Sequence, residues 1–338
     1  MKLRKYEGNP ILVPNLDNDW ESLCVLNPAV YYNSETKKFE MLYRAAGNDT
    51  THYIHLGLAL SDDGFIFKRQ FDKPVLSPSH DNYDGGCIED PRLIKIDGWY
   101  FVTYASRAYA PGQYWKSDWK FLGNPPSAGP TMLKTNLSTT NLAVSEDLIN
   151  WKKVGRITDS RYDDRDVYLF PEKVNGKWVK ISRGVGRKSN EYTSDIPAIW
   201  ISFSDDIMEW DNYKILLKPN EWWEDKKIGG STPPIKTKYG WFMLYHGVST
   251  KDDGYRVGAV MLDINNPTKV IARTKDFIME PEYDYETKGF YNGCVFPTGN
   301  VVVDGTMYVY YGSADKFICV ATCDFEELLT YLMNECKL

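Results

Sequence analysis

No run in this sequence approaches 18 apolar residues, so no segment is long enough to cross a membrane as a helix. The basic N-terminus MKLRKYEGNP leads into no apolar segment and does not read as a secretory signal, which points to a cytoplasmic protein. Basic runs are missing too: 40 Lys and Arg against 46 Asp and Glu leave a net charge of -6, which argues against a nucleic-acid partner. Six cysteines form no CxxC pair and no disulfide-framework spacing, so they read as free, mostly buried thiols. Histidine is scarce. His52 and His55 have HxxH spacing, but a separation of three in the strand-like THYIHLGLAL puts them on opposite faces, and no metal site is expected. Helical periodicity is absent until the last fifteen residues, where DFEELLTYLMNECKL has an N-cap Asp324 and apolar Leu328, Leu329, Leu332 and Met333, predicting a short helix over about 325–336.

What is present is a repeat. Five prolines anchor it, in Asn27-Pro28, Asp90-Pro91, Phe170-Pro171, Pro233-Pro234 and Phe296-Pro297, at intervals of 63, 80, 63 and 63 residues. After each anchor come a turn and an aromatic strand: KKFEMLYR, GWYFVTYA, GKWVKISR, GWFMLYHG and GTMYVYYG. A second element, Ser61-Asp62-Asp63-Gly64, Ser145-Glu146-Asp147-Leu148 and Ser204-Asp205-Asp206-Ile207, reads as a tight turn between third and fourth strands, its acids bonding nearby amides. A unit that cannot bury its own apolar face must stack on its neighbours. Five four-stranded units predict an all-β, five-bladed β-propeller with a short C-terminal helix, occupying residues 1–338 as one domain.

In a propeller the innermost strand of each blade lines the central funnel, so chemistry is expected around the anchors. The aromatic strands end in polar residues at matching places, Arg44, Ser106, Arg183 and His246, with Asp315 shortly beyond the last. The second interval is longer than the rest because of an insertion over about 107–140. Its Tyr109, Tyr114, Trp115 and Trp119 suggest a loop that folds over the funnel mouth, or onto a neighbouring subunit, with Trp222 and Trp223 near the same face.

GGCIEDPRLIKIDGWYFVTYAS, LFPEKVNGKWVKISR, WWEDKKIGGSTPPI with GWFMLYHGV and YRVGAVMLD, and the closing YYGSAD occur in order across residues 27 to 324. Together they resemble glycoside hydrolase family 130. The resemblance implies an inverting phosphorylase that converts a β-mannoside and inorganic phosphate to α-mannose 1-phosphate and a released sugar, with phosphate as co-substrate and no other cofactor. It implies Asp90 as catalytic acid, its proton passing through a sugar hydroxyl to the glycosidic oxygen. Arg165, Arg183, His246 and Tyr255 match phosphate-binding positions, and Arg44, Asp49, Glu89, Lys173 and Asp315 are candidates for holding the sugar. The linkage (β-1,2 or β-1,4), the leaving sugar and a homo-oligomeric state stay open.

Two other readings exist. An inverting hydrolase would need a second carboxylate about 6.5 to 9.5 Å from the acid to activate water; Glu172 and Glu224 are the candidates. A sugar-binding propeller without turnover would need none of these groups in register.

Overall fold

Strand-forming runs broken by Asp-Gly and Asn-Gly pairs build five antiparallel sheets in the computed structural model, which describes residues 1–79 and 83–338. In three blades the hairpin between the first two strands turns on Asp97-Gly98, Asn175-Gly176 or Asp304-Gly305, both residues in the left-handed region, as a two-residue hairpin turn requires. The innermost strands are Cys24–Asn33, Glu89–Ile96, Asp164–Leu169, the broken pair Lys227–Gly230 and Ile235–Thr237, and Val295–Val303. Each pairs with its aromatic strand, and two further strands complete the blade outward. The Ser-acid turns stand between third and fourth strands, Asp63 accepting from the Phe65 and Ile66 amides and Asp147 from those of Ile149 and Asn150. The fifth blade takes its outermost strand, Arg4–Lys5, from the other end of the chain, so the ring is closed by pairing first residues with last.

The helix Phe325–Glu335 is capped by the Asp324 carboxylate, which accepts from Glu327 N at 2.8 Å. Its buried Phe325, Leu328, Leu329 and Leu332 join Phe242, Val257, Val309 and Tyr311 in a core shared by blades 4 and 5. Two one-turn helices, Thr131–Lys134 and Asp284–Thr287, are additions to the expectation; a single turn is too short to show a 3.6-residue period.

Two corrections concern register. The third anchor is displaced: the innermost strand of blade 3 bulges between Arg165 and Tyr168, at Asp166-Val167, whereas Pro171 lies beyond that strand's end. Ser106 is one residue out of step. Ala105 is the residue opposite Glu89, and Ser106 instead accepts from Asn141 inside the blade.

Four blades share one buried lock. A tyrosine of the aromatic strand donates to a carboxylate from the loop leading into the blade, and a cation from an outer strand binds the same carboxylate. The sets are Tyr43–Glu21–Arg69, Tyr104–Asp84–Lys153, Tyr245–Glu224–Arg273 and Tyr311–Glu286–Lys5. All four carboxylates are fully buried, a placement tolerable only when each is paired and hydrogen-bonded. Lys5 thus fastens ring closure twice, through its strand and through its ammonium, 2.8 Å from Glu286. Lys5→Ala should lower the urea unfolding free energy by about 3 kcal/mol, the lower range for stripping one partner from a buried pair. A loss under about 0.5 kcal/mol, as at an ordinary surface site, would show that the pair does not secure closure.

Candidate active site

Strand bulges aim the site. The innermost strands of blades 1, 2 and 3 each gain an extra residue, between Leu26 and Ala29, Glu89 and Arg92, and Arg165 and Tyr168. Asn27, Asp90 and Asp166 sit in those bulges with φ of 46°, 51° and 54°. Asn and Asp tolerate this left-handed conformation better than other side chains, and a bulge re-aims the residue it contains. All three side chains converge on a cavity of about 430 Å³ at the funnel mouth.

One side of the cavity is acidic. Asp90 Oδ1 accepts from Asn27 Nδ2 at 2.7 Å and Arg44 Nη1 at 2.8 Å. Arg44 Nη1 also lies 3.2 Å from Glu89, whose other oxygen accepts from the Cys87 thiol. Burial acts to raise the Glu89 pKa, but Arg44, Arg107 and Arg165 hold the carboxyl well below the usual range. Asp315 behaves oppositely. Burial, reinforced by Asp90 and Glu89, pushes it up to about 6 against the pull of Arg44.

The other side is basic. Arg165 is held in a two-pronged fork by Asp163, with contacts of 2.7 and 2.8 Å, and Arg183 Nε lies 2.7 Å from Asp166. Asp166 is kept ionised: burial would raise its pKa, but Arg183, His246, Arg92 and Lys227 hold it near 2. His246 is neutral, because burial, assisted by Arg183 and Lys227, drops its pKa to about 3 despite Asp166 at 3.6 Å. Gly229 stands opposite His246 in the ladder; a Cβ there would run into Asp166 and come within 2.6 Å of the imidazole, so only glycine admits both groups.

The structure gathers Asp90, Glu89, Arg44, Asp315, Arg165, Arg183, His246 and Tyr255 around this cavity. It does not bring in two others. Lys173 is exposed in the turn beyond the innermost strand of blade 3, at the opposite end of that strand from Arg165, with its ammonium over Trp178. The displaced third anchor accounts for the error. Asp49 is exposed and caps a turn, its Oδ1 accepting from the Thr51 and His52 amides, and it does not line the cavity. Trp223 is core, stacked on Tyr245, and Trp222 lies outside the cavity beside Arg256. The hydrolytic-base candidates are likewise elsewhere: Glu172 pairs with exposed Lys236, and Glu224 is locked by Tyr245 and Arg273.

Sequence reading assigned no role to Lys227. It lines the cavity, donates to Tyr255 Oη at 2.5 Å, and burial with Arg183 nearby lowers its pKa to about 8. The available signal was a charged residue two positions ahead of Gly229-Gly230, at the start of the fourth innermost strand. The insertion does reach over the mouth: Arg107, Pro111, Tyr114, Trp119 and Phe121 line it.

The cavity therefore sets a carboxylic acid cluster against a group of cations and neutral donors, an arrangement suited to protonating a leaving oxygen on one side while holding an anion on the other. The sequence model of a family described as beta-1,4-mannooligosaccharide phosphorylase matches residues 2–122 and 131–334. A 1,2-beta-oligomannan phosphorylase from Thermoanaerobacter sp. (strain X514) is 38% identical over 334 residues, covering 97% of this chain and 99% of that relative. A beta-1,4-mannooligosaccharide phosphorylase from Ruminococcus albus is 28% identical, covering 98% and 90%. The solved structure of beta-1,2-mannobiose phosphorylase from Listeria innocua, in complex with beta-1,2-mannobiose, superposes with a TM-score of 0.78 at 25% identity, covering 98% of this chain and 99% of that one.

The two unusual ionisation states can be read directly. An NMR pH titration of the free protein should find the His246 ring neutral between about pH 5 and 8, because its charged form appears only below its depressed pKa near 3. Asp315 should take up a proton as the pH falls through about 6. A His246 midpoint near the ordinary imidazole value would refute the assignment.

Proposed function

The chain belongs to glycoside hydrolase family 130, and from that premise we propose that it is an inverting β-mannoside phosphorylase. The observation that carries this reading is the cluster of Arg165, Arg183, Lys227, neutral His246 and Tyr255 across one cavity from Asp90. Phosphate is already a nucleophilic anion. It needs cations and donors to hold it in line rather than a base to activate it, and guanidinium forks match its oxygens. A phosphate oxygen bonds to the anomeric carbon from the face opposite the glycosidic oxygen, so a β-mannoside gives α-mannose 1-phosphate. The glycosidic bond breaks as its oxygen receives the Asp90 proton by way of a sugar hydroxyl. Arg44, Glu89 and Asp315 hold the mannosyl unit.

We assign a β-1,2 linkage to the substrate. Two relatives at 38% and 37% identity are named for β-1,2-linked mannosides, against 28% for the β-1,4 relative. Inorganic phosphate is the co-substrate, and no further cofactor enters the scheme. Six free cysteines, five of them buried, fit a reducing cytoplasm, and among the described residues no helix is long and apolar enough to cross a membrane.

Incubation of the purified protein with β-1,2-mannobiose should release α-mannose 1-phosphate only when phosphate is added. Free mannose as the sole donor-side product, at a rate indifferent to phosphate, would replace the reading with hydrolysis. Asp90→Asn should cut turnover by about a hundredfold or more, the scale of lost general-acid catalysis, and retention of activity within about threefold would remove Asp90 from that role. Arg183→Ala should raise the KM for phosphate about ten- to a hundredfold with little change in mannoside affinity. Because Lys227 loses its charge as pH rises through about 8, the KM for phosphate should climb above that pH. A flat profile to higher pH would exclude Lys227 from holding the anion.

A further inference from the structure

The two arginines assigned to phosphate face each other: Arg165 on the innermost strand of blade 3 and Arg183 on the neighbouring strand Trp178–Gly184 are direct partners in the ladder. Like charges placed opposite one another in a sheet repel. Asp163 and Asp166 bind the two side chains, while the backbones that carry them meet at a third carboxylate. Asp164 precedes Arg165 in the chain, and its Oδ1 accepts from the Arg183 amide at 3.0 Å, so one residue is joined to both arginines.

Asp164 is fully buried and does not line the cavity. Burial pushes its pKa up, against the pull of Lys180, Arg187 and Arg183, so its charge weakens the fold unless it is compensated. The compensation is built. Arg187 Nη2 lies 3.5 Å from Asp164 Oδ2, and the guanidinium rests over the rings of Tyr162 and Tyr213 at 4.3 and 3.6 Å. Lys180, also fully buried, donates to Tyr213 Oη at 3.1 Å and to Ile157 O at 2.6 Å. Gly184 stands opposite Asp164, and a Cβ there would come within 2.8 Å of Arg187 Nε, crowding the guanidinium off this path. In the other four blades the buried carboxylate lies in the approach to the blade, under a tyrosine. Blade 3 has Ser182 at the tyrosine position, and its buried carboxylate stands on the innermost strand, one residue from the basic cluster.

We propose that Asp164 is a positioning residue for phosphate, its carboxylate fixing the placement of Arg183 relative to Arg165, with Arg187 as the cation that holds that carboxylate in place. Asp164 acts on the anion only through the two arginines. The proposal rests on the phosphorylase reading for the identity of the anion.

Kinetics with β-1,2-mannobiose at varied phosphate test it. Asp164→Ala should raise the KM for phosphate about tenfold, the scale of one net hydrogen bond, while the KM for the mannoside stays within about twofold. Asp164→Asn keeps an oxygen facing the Arg183 amide and should return the phosphate KM to within about threefold of wild type. A phosphate KM within about twofold of wild type for Asp164→Ala, matching rises in both KM values, or no recovery in Asp164→Asn overturns the proposal. If the alanine variant does not fold, Arg187→Met decides, since it keeps a stem over the two rings: its phosphate KM should rise at least about threefold with mannoside KM unchanged, and an unchanged phosphate KM overturns the proposal. The Arg183 Nε–H resonance of the phosphate-free protein gives a readout independent of turnover. It should move in Asp164→Ala or Arg187→Met, and an unmoved resonance overturns the positioning role. A moved resonance in a protein that does not use phosphate confines the failure to the function reading.

Discussion

A single buried guanidinium ties four of the five blades together at the funnel. Arg92 is 2% exposed and reaches across the axis: Nη1 donates to Asp90 O in its own blade, Nε to Ser231 O in blade 4, Nη2 lies 3.5 Å from Asp166 in blade 3, and its plane sits 5.4 Å from the Phe296 ring of blade 5. An arginine can do this because its donors radiate in one rigid plane and its charge persists at any working pH. The contact also imposes spacing. The Asp90 carbonyl and the Asp166 carboxylate meet the same cation, so the acidic and basic halves of the cavity are tied through one side chain.

The blade locks perform the complementary task from outside. Glu21, Asp84 and Glu224 each stand six positions ahead of a residue on the innermost strand of their blade, Asn27, Asp90 and Gly230. Fixing the carboxylate under a tyrosine and a cation therefore fixes the approach of the chain to the bulge. Blade 3 uses other means, with Ser182 where the tyrosine would stand and a buried Asp164 accepting from the Arg183 amide. Fully buried carboxylates invite a catalytic interpretation, yet here their hydrogen bonds are consumed by structure. Exposure to the cavity separates Asp90 from Glu224 better than burial does.

The propeller was legible because each of its causes is local: hairpin turns, Ser-acid turns and aromatic strands recur at short range. The anchors located the site where a bulge coincided with a proline, as at Asn27 and Asp90; Arg165, Arg183, His246 and Tyr255, which also reach the cavity, were named through the family resemblance instead. Blade 3 bulges at Asp166-Val167 without a proline, so Pro171 attracted the alignment and carried Lys173 with it to the far end of the strand. Lys5 and Glu286, or Arg92 and Ser231, meet only after the ring has closed. No periodicity in the sequence announces such partners.

The internal acids of the basic half raise an objection, since Asp163 and Asp166 already neutralise the arginines that are to bind phosphate. Geometry answers it. Asp163 takes Nε and Nη2 of Arg165, leaving Nη1 outside the fork, and Asp166 takes the inner Nε of Arg183. The carboxylates thus set the direction of the guanidiniums while part of each fork stays outside the pairing. A neutral His246 adds a donor without adding charge, and Lys227, its pKa lowered to about 8 by burial, is a cation whose charged form an anion beside it would favour. Dipoles and charges fixed before the ligand enters need little reorganisation in the transition state, the condition under which electrostatic stabilisation is most effective.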